Sequence, residues 1–183
     1  NCINWFKRDF LDNRLSYAEL ENSVLFLKGN PPVFLPFLFG ERCPGWRDDR
    51  RAGFVEIEGH HQPADFYLSI QLGILFSLLT CYHPLIAMAG EPDRIVVSGG
   101  ILNSSHWLQM LADIFGKPML CVVNPNASAI GAAVVALHAA GVYPNINHFS
   151  SELDSATLIQ PNADHSTWYQ HQFSRYLNWY EKT

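Results

Sequence analysis

Apolar positions recur along the chain at helical spacing in some stretches and in short unbroken runs in others, and these changes mark its elements. In residues 2–13, Ile3, Trp5, Phe6, Phe10 and Leu11 predict a short amphipathic helix ending near Asn13. Tyr17, Leu20, Val24, Leu25 and Leu27 predict a second, stopped by Gly29-Asn30-Pro31-Pro32. Residues 33–39 are apolar but punctuated by Pro36, which places that strand at an edge or makes it bulge. Residues 40–53 read as a loop and 54–57 as a returning strand. From 66 to 90 there is no Asp, Glu, Lys or Arg. A membrane span needs roughly 20 mostly apolar residues. Gln71, Thr80, Tyr82, His83 and Pro84 interrupt this run and no basic flank borders it, so a long core helix kinked near Pro84 is expected instead.

The sharpest pattern lies in residues 94–118. Ile95, Val96 and Val97 form a β-branched run, Gly99-Gly100 breaks it, and Trp107, Met110, Leu111, Ile114 and Phe115 then recur on one helical face. Asn103 or Ser104 is placed to cap that helix, and Gly116 with Pro118 ends it. A glycine turn running from a strand into a helix N-terminus presents unpaired N–H groups and suits a phosphate, though the same residues serve plain turn chemistry. Residues 119–123 read as a second strand, 124–126 as a turn, and 127–140 as an Ala-rich helix containing Gly131, with a small-residue face for close packing. Strand, helix, strand, helix at these spacings predicts a right-handed βαβ unit of an α/β domain. Residues 142–163 look polar and irregular. Tyr169, Phe173, Tyr176 and Tyr180 line one face of a final helix as core or interface.

Composition narrows the function classes. With 183 residues, 48% hydrophobic and 16% charged, the chain has enough apolar material for one well-buried domain, or at most two small ones. Seventeen acidic against 12 basic side chains argue against a nucleic-acid partner. Arg47, Arg50 and Arg51, interrupted by Asp48 and Asp49, read as a solvated, self-paired loop. Cys2, Cys43, Cys81 and Cys121 are scattered, as expected of reduced thiols in a cytoplasmic protein. No signal peptide is visible, and a start at Asn1-Cys2 without Met is expected of a fragment of something longer.

No complete catalytic set emerges. Asp65, Asp93 and Asp113 each have an ordinary reading at a helix start, a turn and a helix. The eight His lack metal spacing, and neither G-x-S-x-G nor a P-loop is present.

Several stretches together resemble the C-terminal domain of the FGGY carbohydrate kinases, the family of gluconate, xylulose and glycerol kinases. Ser98-Gly99-Gly100, then Ser104, then Trp107-Leu108-Gln109-Met110-Leu111-Ala112-Asp113 resemble its S-G-G and W-x-Q-M-x-A-D motif. Residues 127–133 resemble A-S-A-x-G-A-A, residues 35–44 resemble L-P-Y-L-x-G-E-R-x-P, and Asn4-Trp5 the N/Q-W opening the domain's first helix. Trp46 is most like the gluconate kinase branch.

The resemblance implies an actin-like ATPase (ribonuclease H-like) α/β domain, a mixed sheet flanked by helices. Residues 1–183 would be a single domain, the nucleotide-side lobe of an ATP-dependent kinase acting on a sugar or sugar acid. It implies ATP with Mg²⁺ as cofactor. The backbone of Gly99 and Gly100 would approach the phosphates, Ser104 would hydrogen-bond the nucleotide, and Asn4 would contact its ribose or adenine side. The sugar-activating Asp and the remaining phosphate loops would lie upstream in an N-terminal lobe, so no catalytic base and no metal ligand are expected here, and the chain alone should be inactive. Expected partners are the sugar, ATP/ADP and that lobe, with a homodimer left open and neither nucleic acid nor membrane among them. A degenerate lobe serving only nucleotide binding or dimerisation is the alternative. Leu68 and Leu72 replace the Arg and Glu of R-A-x-x-E-G, Glu56 the glycine of F-x-G-L, and Asn126 the Glu before A-S-A, which bears on local packing more than on the fold.

Overall fold

The computed structural model describes residues 2–24, 29–123, 126–146 and 156–183. In chain order its elements are α1 (Cys2–Asp9), α2 (Tyr17–Val24), β1 (Val33–Leu35), β2 (Gly53–Val55), α3 (Pro63–Ala89), β3 (Ile95–Val97), a 3-10 turn (Gly100–Asn103), α4 (Ser105–Phe115), β4 (Met119–Cys121), α5 (Ala127–Ala139), β5 (Thr157–Ile159) and α6 (Ser166–Tyr180). They form two compact units, Asn1–Glu91 with Asp164–Thr183, and Pro92–Ala163. Leu25 and Leu27 of the expected second helix, and the turn residues Asn124 and Pro125, lie outside the described residues.

In the first unit β1 and β2 pair antiparallel, with Phe34 opposite Phe54, and β1 stops at Leu35, one residue before the proline that lacks an N–H. α3 lies against β1. At Gly73 a Cβ would sit 2.3 Å from the Phe34 carbonyl oxygen, so any side chain there would force the helix off the strand. The Asp65 carboxylate accepts the Gln62 N–H at 2.7 Å and closes the first turn of α3. Leu68, Ile70, Leu72, Leu75, Phe76 and Leu79 are buried, so this half of the apolar run is core, as expected, while Leu78, Leu85 and Met88 are exposed. Leucine at 68 and 72 therefore adds to an apolar core, where an isolated charge would be strongly disfavoured. The aromatic face of α6 meets α3 through Phe173 and Tyr176, whose rings lie 5.3 and 5.7 Å from that of Phe76.

The loop between β1 and β2 differs from expectation. Arg47 and Asp49 pair with each other in solvent, as the alternating charges suggest. Arg50 does not: its side chain is 8% exposed and donates at 2.9 Å to Glu41, whose side chain is 1% exposed. The Tyr180 hydroxyl donates to the other oxygen of Glu41, and Arg50 also donates to the Tyr180 carbonyl at 3.1 Å and stacks 3.9 Å over its ring. A buried carboxylate needs such partners, and its nearest cation in space is nine residues away in sequence rather than adjacent.

In the second unit the strand order is β3-β4-β5, β3 parallel to β4 and β4 antiparallel to β5. As expected, α4 connects two parallel strands, β3 and β4. β5 corrects the reading of 142–163 as irregular: three residues suffice because Met119 and Cys121 of β4 supply the buried side of the pairing. α5 forms where expected, but the small-residue face does not pack as anticipated. Among the described residues a Cβ at Gly131 would meet nothing within 4 Å, and Ala132 and Ala133 are exposed.

Removing one partner of a buried ion pair strands the other. Arg50→Met should lower stability by about 3–5 kcal/mol, whereas Arg47→Met should change it by less than about 0.5 kcal/mol. Guanidinium chloride unfolding of both variants checks this, and equal effects would show that the Glu41 site is not what holds the loop.

Candidate nucleotide site

β3 ends at Val97, and the chain turns at Gly99, whose φ of +87° and ψ of −158° are open essentially to glycine alone. Among the described residues nothing lies within 4 Å of a Cβ built at Gly99 or Gly100, so the backbone is open on the side where a side chain would stand. A one-turn 3-10 segment follows, with Leu102 N–H bonded to the Gly99 carbonyl and Ser104 N–H to that of Ile101, both at 3.1 Å. α4 thus starts at Ser105, one turn later than a direct glycine-to-helix junction would have it. Ser104, and not Asn103, is the cap: its hydroxyl oxygen accepts the Trp107 N–H at 3.2 Å. Ser104 is buried, and its O–H proton remains available as a donor. Gly116 ends α4 as expected.

The motif around 107–113 has a structural content that the sequence reading missed. Leu108, Met110, Leu111 and Ala112 are buried against the sheet, and Asp113 is 5% exposed. Gln109 donates to Asp113 at 2.7 Å and to the Gln160 carbonyl at 2.9 Å, and Asp113 also accepts the Asn162 N–H at 2.7 Å. The pair holds the segment just after β5 onto α4. The i, i+4 spacing of Gln and Asp was the available signal.

Gly99, Gly100 and Ser104 lie together in the second unit, and Asn4 belongs to the first. Asn4 is exposed on α1. Its side-chain oxygen accepts the Tyr17 hydroxyl at 2.6 Å, which leaves its amide N–H donors to solvent. It lines a concavity of about 530 Å³ with Trp5, Arg8, Leu38 and Phe39. Among the described residues no group of three His, Cys, Asp or Glu is placed to hold a metal ion.

The departures from the family pattern are individually accommodated. Asn126 stands at the N-cap of α5, its carbonyl accepting the Ile130 N–H at 2.9 Å. Glu56 adopts φ of +58°, the left-handed conformation that the glycine of F-x-G-L would take freely. In exchange its carboxylate receives the Trp179 indole N–H at 2.7 Å and the Arg175 guanidinium at 2.9 Å, tying β2 to α6. Partial burial alone would push the Glu56 carboxyl up, but these donors outweigh it and hold the group below its ordinary value.

Likeness to a family model, a relative and two solved structures bears on this arrangement. The model of the FGGY family of carbohydrate kinases, C-terminal domain, matches residues 5–140. The xylulose kinase of Bacillus subtilis strain 168 is 31% identical over 185 residues, covering 99% of this chain and 37% of its own length. The crystal structure of gluconate kinase from Lactobacillus acidophilus superposes with a TM-score of 0.80 at 26% identity, covering 96% of this chain and 36% of that one. That of xylulose kinase from Rhodospirillum rubrum gives 0.81 at 20% identity, covering 98% and 37%. The chain therefore spans little more than a third of the length of the relatives it matches, and its fold is the actin-like ATPase α/β fold anticipated above.

A carboxyl held low in the folded state contributes stability that is complete above its unfolded value and is lost as pH falls through the folded one. The stability gap between wild type and Glu56→Gln should therefore be open at pH 7 and close below about pH 4. Thermal melts of both proteins across that range give the gap directly, and a gap independent of pH would remove Glu56 ionisation from the account.

Proposed function

The chain belongs to the FGGY family of carbohydrate kinases as its C-terminal domain, and we propose that the whole protein transfers the γ-phosphate of ATP to a hydroxyl of a sugar or sugar acid. The observation that carries the nucleotide part is the open backbone at Gly99-Gly100 between β3 and the capped α4, in the family's S-G-G position. In this reading the Gly99 and Gly100 backbone lies against the ATP phosphates, with no side chain to keep a polyanion away. Ser104 keeps α4 capped through its oxygen and donates its proton to the nucleotide. Asn4, already oriented by Tyr17, offers its amide to the ribose or adenine side. Mg²⁺ enters with ATP and neutralises phosphate charge as the transferred group moves.

The acceptor hydroxyl must lose its proton, and the carboxylate that takes it belongs to an N-terminal lobe beyond these 183 residues. Closure of the two lobes excludes the water that would otherwise take the phosphoryl group. The relatives named xylulose kinase and gluconokinase support a ketopentose or an aldonic acid as acceptor. ATP/ADP, the sugar and the N-terminal lobe are the partners of this site. A homodimer would be an addition to it and not a condition of it, and a cytoplasmic location, with four free thiols, belongs to the same reading. Acting only as a stand-alone nucleotide-binding or dimerisation module is the weaker reading, since Leu68, Leu72, Glu56 and Asn126 each have a settled structural place.

ADP release by the full-length protein with xylulose, gluconate and glycerol tests the proposal. At least one acceptor should stimulate release, and Gly99→Val should lower kcat/KM for ATP by about 10–100-fold, equivalent to about 1.4–2.7 kcal/mol. The absence of acceptor-dependent release with all three would count against a sugar kinase, and an unchanged kcat/KM in the variant would count against the glycine turn as the phosphate contact.

A further inference from the structure

Cys43 and Cys81 come together in the first unit although 38 residues separate them. The Cys81 thiol on α3 donates to the Cys43 carbonyl oxygen at 3.4 Å, so the two residues are in direct contact. Both backbones are well held: Cys43 follows two residues after the buried Glu41, and Cys81 sits within a 27-residue helix. Exposure divides the roles, since Cys43 is open to solvent and Cys81 is half-covered. The other two cysteines have no such partner. Cys2 faces the Pro36 carbonyl, and Cys121 is buried in β4.

We propose that Cys43 and Cys81 form an oxidation-sensitive pair, in which a peroxide oxidises Cys43 and the resulting sulfenic acid is captured by Cys81 as an intramolecular disulfide. The Cys43 thiolate attacks one peroxide oxygen, the O–O bond breaks, and the departing hydroxide takes a proton and leaves as water. Cys81, as thiolate, then attacks the Cys43 sulfur. The S–O bond breaks, and hydroxide leaves as a second water, so two thiols and one hydrogen peroxide give one disulfide and two waters. Burial, the Cys43 thiol and the nearby Glu41 carboxylate push the Cys81 thiol up to about 11. Cys81 is consequently the slower, resolving partner, and Cys43 the one that meets the oxidant. The cross-link staples the Glu41 loop to α3 and is independent of the kinase reading.

The test exposes the full-length protein to hydrogen peroxide, blocks remaining thiols with iodoacetamide, and maps peptides by mass spectrometry without reduction. A peptide linking Cys43 to Cys81, absent after dithiothreitol, is expected. Cys43→Ser and Cys81→Ser should each abolish it, while Cys2→Ser and Cys121→Ser leave it. The oxidised wild type should melt several degrees higher than the reduced one, because the link closes a long loop in the unfolded chain. Overoxidation of Cys43 with Cys81 still alkylated, a Cys43–Cys43 link between molecules, or no reaction at Cys43 would each overturn the pairing.

Discussion

A carboxylate at 1% exposure is the constraint on which the first unit depends. Glu41 is held by Arg50 from its own loop and by Tyr180 from the far end of the chain, and no apolar contact would be as selective about which segments meet. Through it the loop of residues 40–53 acquires a fixed shape, and α6 is joined to a core built from residues more than a hundred positions earlier. Two further polar ties act in the same direction: Glu56 to Arg175 and Trp179, and Gln172 to Asn30 at 2.6 Å. The aromatic stripe of α6 packs on Phe76 and Phe37, and the polar ties fix where that stripe docks.

In the second unit the corresponding constraint is a backbone dihedral. Gly99 lets the chain leave β3 in a conformation closed to other residues, and Ser104 restarts it as a helix one turn later. At Gly99 and Gly100 the space that a side chain would fill is open among the described residues. Gln109 and Asp113 then hold the segment after β5 against α4. An open glycine backbone shortly before a helix start suits a polyanion.

Much of this was legible in the residues. The capping serine, the terminating Gly116, the parallel strands and the core role of the uncharged run all follow from local periodicity and turn chemistry. What was not legible depended on partners remote in sequence. The run of Arg and Asp at 47–51 has the same local pattern whether Arg50 is solvated or buried, because its decisive partners are Glu41 and Tyr180. β5 carries no apolar alternation of its own and exists through its pairing with β4. Glu56 is legible as a replacement of a family glycine, but its left-handed backbone and the α6 donors around it depend on residues more than a hundred positions away. The small face of α5 was expected to be packed, and small residues alone do not distinguish a packed face from an open one.

The most direct measurement of the central claim is backbone hydrogen–deuterium exchange of the full-length protein with and without saturating MgADP. Exchange at residues 99–105 should slow on nucleotide binding, while that in α6 stays unchanged. Nucleotide-dependent protection elsewhere with 99–105 unaffected would contradict the assignment of this turn as the phosphate-holding element.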